Sequence, residues 1–194
     1  MDVPLLVTIV LGGLALIVCY VVVFRKEKQG YIKSRMWMGY PKSIVYMLIT
    51  FQVLALIGFF MAYFTPGGLI FGKSPAEGLL SRGRWVTSLL TGIFLISSCV
   101  WPFMAARSFN RGDSLSRFVC AASLVVSSIA IMLLLAGSVE EIEKPRVIVV
   151  TGLLLLAITV VLADGVMWNA RFILTKAGST LPVEQFVDYT KIMS

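Results

Sequence analysis

The sequence contains no histidine. That removes the side chain most often used as a general base near neutral pH and most often found on protein-bound metals. Cysteine is nearly as scarce: Cys19, Cys99 and Cys120 are the three present, and each lies inside a long apolar run. None is spaced as a zinc-binding pair and none falls in a polar loop, so the sequence predicts no cofactor, no metal and no structural disulfide. Charge is the third shortage. Only 14% of the 194 residues are charged, against about 25% in a soluble domain. Histidine, paired carboxylates and metal-ligand spacing are all lacking, which disfavours an intramembrane enzyme, and the chain is not expected to be one.

What fills the sequence is hydrocarbon. Hydrophobic residues make up 58% of it, and they are gathered into runs rather than scattered. Five runs reach the length of about 20 residues that a helix needs to cross a bilayer core. They are roughly Val3–Phe24, Ser43–Phe64, Trp85–Ala106, Phe118–Gly137 and Val147–Trp168. None alternates apolar and polar residues with a period of two, so they read as helices rather than barrel strands. The expected fold is an all-α, five-span membrane bundle over residues 1–176. A tail at 177–194 follows, in which Thr180, Pro182 and Glu184 suggest a short amphipathic helix resting on the inner leaflet.

The net charge of +7 would point to nucleic acid in a soluble protein. Here most basic residues sit between apolar runs, which points instead to orientation in the membrane and to anionic lipid headgroups as partners. The first loop, the third loop and the tail carry 12 lysines and arginines; the second and fourth loops carry 5. The positive-inside rule then places the N-terminus outside and the C-terminus in the cytoplasm. Trp85, Trp101 and Trp168 fall near span ends and are expected to be interfacial anchors.

Lipid gives helices no hydrophobic reason to associate, so small residues and interhelical hydrogen bonds must supply one. Gly12 and Gly13 in span one offer such a surface, as do Ser88, Thr91, Gly92 and Ser98 in span three and Ser123, Ser127 and Ser128 in span four. Pro102 cannot donate to the carbonyl of Ser98 and is expected to be a hinge in span three.

The polar positions that could carry function are few. Asp164 is the one charged residue inside the five runs, and an ionisable group there is costly enough to be a functional candidate in its own right. On an α-helix Trp168 and Arg171 would share its face. Arg171 and Arg107 are therefore the expected ion-pair partners, with Asn169 close by. Gln52, in the second run, reads either as an interhelical hydrogen-bonding group or as a substrate contact. The segment Gly67–Ser74 matches the phosphate-loop pattern G-x-x-x-x-G-K-S, but a membrane helix precedes it and Pro75 follows, so the match is expected to be coincidental. Taken together, Asp164, Gln52 and Pro102 point to a small oligomeric channel or transporter for ions or small solutes. The competing reading is a non-catalytic scaffold or accessory subunit of a larger membrane assembly. Five spans do not divide into two inverted halves, so the symmetry of a transporter would have to come from a homo-oligomer.

Overall fold

In the computed structural model the apolar runs form helices. The structure describes residues 1–28, 42–72, 80, 84–111, 113–139 and 147–169. Arg171, Lys73 and the expected tail helix lie outside the described residues. Helix α1 spans Val3–Lys28, α2 Lys42–Phe64, α3 Arg84–Arg111, α4 Ser114–Val139 and α5 Val147–Ile158. The last continues from Thr159 to Trp168 as a π-helix. Within these elements five stretches are long and apolar enough to cross a membrane: Val3–Val23, Tyr46–Phe64, Trp85–Ser108, Ser114–Val139 and Val147–Met167. The protein is all-helical among the described residues, with the length and composition of a multi-pass membrane protein.

The helices pack in the spatial order α1, α3, α4, α5, α2. At backbone distance α1 has α3 as its sole neighbour among the described residues, and α2 has α5 with its π continuation. Small residues set the closest approaches. A Cβ on Gly58 would lie 2.5 Å from the Gly152 carbonyl oxygen, and one on Gly152 would lie 2.6 Å from the Ala62 nitrogen. Only glycine on both helices lets α2 and α5 come this close. Gly12 plays a similar part on α1, where an added Cβ would meet Leu95 Cδ1 of α3 at 2.6 Å, while Gly13 faces open space.

The end of the bundle where the chain begins is called the near face here, and the end carrying the α3–α4 turn the far face. At the near face the chain start is clamped. Asp2 donates its N–H to the Ile70 carbonyl at 2.8 Å, and its carboxylate accepts the Leu5 N–H at 3.0 Å, capping α1. Residues Thr65–Gly72 fold back over the end of α2. Gly67 takes a positive φ of 85°, and the amides of Gly68 through Gly72 all donate to main-chain carbonyls of residues 62–68. Amides already spent on carbonyls cannot cradle a phosphate, so the formal motif has no anion nest within residues 68–72.

Two apolar clusters fill the interior. The near-half cluster draws on all five helices, from Leu5 and Ile9 through Tyr63, Phe94 and Ile131 to Leu153 and Val160. The far-half cluster contains Val23, Trp101, Ala105, Ala106, Cys120 and Leu124, which come from α1, α3 and α4 alone. Among the described residues the core of the far half therefore comes from three helices.

Candidate functional site

Polar groups are rationed along the bundle, and where they fall differs between its halves. Near the near face Tyr63 is wholly buried and its hydroxyl shares a 2.9 Å hydrogen bond with Thr91 Oγ1, joining α2 to α3. Midway, Ser98 and Ser127 bring their hydroxyls to 3.5 Å across the α3–α4 contact. Both serines belong to faces that the sequence marks as close-packing.

The π-helix begins where two hydroxyls compete for carbonyls. Thr159 Oγ1 reaches the Leu155 carbonyl of its own helix at 3.2 Å and the Phe51 carbonyl of α2 at 2.9 Å. Ser128 Oγ of α4 reaches the Val160 carbonyl at 3.3 Å. Back-bonding of this kind bends helices, and hydrogen bonds to outside partners compensate carbonyls drawn out of the α ladder. The next turn is also pinned from outside: a Cβ on Gly165 would come within 2.6 Å of Ser128 Oγ. π geometry is rare, and where it interrupts an α-helix it is frequently at a functional site.

Asp164 sits in this π segment and is half-buried. Its charge acts on the Tyr20 hydroxyl of α1 and on the Cys120 thiol of α4. Those groups are themselves tied together. The Trp101 indole N–H hydrogen-bonds the Tyr20 hydroxyl, the two rings meet edge-on at 6.2 Å, and the Cys120 thiol donates to the Trp101 carbonyl at 3.6 Å. Four elements thus bring a carboxylic acid, a phenol and a thiol to one place inside the far half.

Several sequence expectations change here. Arg107 does not reach Asp164: its Nε pairs with Asp113 at 3.4 Å, in the turn between α3 and α4. No ion pair reaches Asp164 among the described residues. The reason is local. Asp113 lies six positions away across a tight turn and caps α4 by accepting the Ser116 N–H at 2.5 Å and its hydroxyl at 2.9 Å. Those donors, with Arg107 behind them, hold the Asp113 carboxyl below the usual carboxylate range. Arg171 and the Trp168 side chain, expected on the face that carries Asp164, lie outside the described residues. Asn169 donates its side-chain N–H to the Gly165 carbonyl at 2.8 Å, and its Oδ1 is buried without a partner among the described residues.

Trp101, expected at the membrane interface, is 3% exposed and belongs to the far core. Its ring has Tyr20 to pack against and a hydroxyl for its N–H, which headgroups would otherwise supply. Trp85 is 64% exposed at the near-face start of α3, and the Trp168 side chain lies outside the described residues. Pro102 is buried within α3, whose helix runs on through it to Arg111. Gln52 is exposed on α2 and makes no hydrogen bond among the described residues. It stands 11 positions before Tyr63, about three helical turns, and so on the same face of α2.

Sequence reasoning missed Tyr20 and Cys120 as neighbours of Asp164. The only available signal was the adjacent polar pair Cys19–Tyr20 in an otherwise apolar stretch. No protein family, curated protein or solved structure matches the chain.

Proposed function

We propose that the protein is a small oligomeric channel or transporter for ions or small solutes, and that Asp164 holds the exchanged proton or cation. One observation carries the reading: a carboxyl group in a span, on π-helical backbone, with no cationic partner among the described residues and with a phenol and a thiol within electrostatic range of it. A membrane carboxyl kept only for structure is normally ion-paired, because the bilayer penalises the bare charge. Near Asp164 the neighbouring groups carry dissociable protons rather than the six or more oxygens a hard cation prefers. A proton is accordingly the favoured occupant.

The test is flux. In liposomes containing the purified protein, Asp164→Asn should leave the fold and melting temperature intact, since the amide is isosteric, and should abolish pH-dependent flux. Equal flux in the wild type and the variant would remove Asp164 from the pathway. In this proposal the basic loops lie on the cytoplasmic side against anionic lipid, with the N-terminus outside, and a homo-oligomer provides the symmetry.

One observation favours the scaffold reading instead. Helix α1 presents Val7, Leu11, Leu14, Val18 and Val21 outward, and it has a single helical neighbour among the described residues. Such an edge suits docking to another subunit as well as it suits lipid. Mass determination in mild detergent separates the two readings. A homo-oligomer with flux supports transport, whereas a single copy that carries no flux and co-purifies with other membrane subunits supports the scaffold.

A further inference from the structure

Helices α1 and α3 run side by side in the same direction, and their seam is close from end to end. A Cβ on Gly92 would lie 3.6 Å from Thr8 Cγ2, and one on Gly12 would lie 2.6 Å from Leu95 Cδ1. Further along, Tyr20 meets Trp101 edge-on with ring centroids 6.2 Å apart. Cys19 lies seven positions after Gly12 and Cys99 seven after Gly92, about two helical turns on in each case, so both stay on the faces that form this seam and their thiols interact across it. Both are free thiols and half-buried. Cys120 differs: it is fully buried, and its thiol is already donated to the Trp101 carbonyl at 3.6 Å.

We propose that Cys19 and Cys99 form a redox-active dithiol that closes to a disulfide between α1 and α3 when a small peroxide oxidises it. Packing on both sides of the pair limits how far the two main chains can separate, and a disulfide demands closely spaced main chains. An uncharged oxidant such as hydrogen peroxide is small enough to reach a half-buried site in an apolar surrounding. In the first step one sulfur attacks a peroxide oxygen. An S–O bond forms, the O–O bond breaks, and the proton released by the thiol leaves with the departing hydroxide as water. In the second step the other sulfur attacks the sulfenic sulfur, the S–S bond forms, the S–O bond breaks, and a second water departs. Two thiols are oxidised by two electrons and one peroxide is reduced to two waters. The staple would hold Tyr20, the neighbour of Cys19, against Trp101. The inference does not depend on the transport reading.

The experiment uses the full chain in liposomes. It is treated with hydrogen peroxide, denatured in the presence of an excess of a thiol-alkylating maleimide, and digested for mass spectrometry. The expected result is an intact mass two hydrogens below that of the reduced chain alkylated once, at Cys120, and after digestion a linked peptide pair joining Cys19 to Cys99. Dithiothreitol should restore alkylation at all three cysteines. Cys120→Ser should oxidise as the wild type does, and Cys99→Ser should leave Cys19 without an intrachain disulfide. Full alkylation of Cys19 and Cys99 after peroxide, or a disulfide that uses Cys120 or a second chain, would overturn the proposal.

Discussion

The near and far halves of this bundle are built from the same kinds of helix and are held together differently. In the near half all five helices meet in one apolar cluster, glycines bring α2 onto α5, and the buried hydroxyls of Tyr63 and Thr91 are paired with each other. In the far half the cluster is reduced to three helices. There the fifth leaves α geometry, and the interior gains a carboxylic acid, a phenol and thiols. The near half is arranged for stability. The far half accepts polar groups that a bilayer penalises, which is the usual mark of a working site.

Substitutions can break or sharpen that contrast. The largest loss should come from Gly152→Leu. Its Cβ would fall against backbone atoms of Ala62 and Gly58, which cannot swing aside, and among the described helices α2 makes backbone contact with α5 and its continuation alone. Overpacking costs about 1–3 kcal/mol, and the melting temperature in detergent should drop clearly. An unchanged melting curve would mean that the near half is not locked by this contact.

Tyr63→Phe should cost less. It removes the hydroxyl bonded to Thr91, and interhelical hydrogen bonds in membranes average about 0.6 kcal/mol with a maximum near about 1.7. A double-mutant cycle with Thr91→Val measures the coupling directly. A coupling near zero would deny the link between α2 and α3.

A smaller effect, and a pH-dependent one, belongs to Asp113. Its folded carboxyl is depressed by the Ser116 donors and Arg107. The stabilisation is therefore present above the ordinary carboxylate pKa and is lost as pH falls through the folded value. Asp113→Asn should melt slightly below the wild type at neutral pH, and the two curves should converge in strong acid. A gap that widens on acidification would contradict the assigned cause.

Gln52→Leu should have the smallest effect on stability, within about 0.5 kcal/mol, because the amide has no partner to lose among the described residues. A distinct fall in melting temperature would show that it bonds to something outside them.

How legible all this was in the sequence depended on the range of the interaction. The spans were readable because a bilayer imposes one length and one solvent on every crossing segment. Gly12, Ser98 and Ser127 were readable as packing residues because small side chains are the general currency of helix contact in lipid. Asp164 stood out for the same reason: a single charge in an apolar run is visible without knowing the fold. Its surroundings were not visible. Tyr20 and Cys120 lie more than a hundred and more than forty positions away, and nothing local marks them as its neighbours. Arg107 was assigned to the wrong acid because composition favoured the lone membrane charge, whereas a six-residue turn favours Asp113.

The sequence by itself determined that the chain is helical, how many membrane-length segments it has and which few polar groups stand inside them. These follow from hydropathy and length, which act residue by residue. Only the tertiary structure decided that α2 lies at one edge and α1 at the other, that Trp101 is buried instead of interfacial, and that the fifth helix widens to π geometry at Thr159. Those features arise where two helices compete for the same space or the same carbonyl. Ser128 reaching Val160 and Thr159 reaching Phe51 are contacts between elements far apart in the chain, and no local pattern encodes the partner that wins.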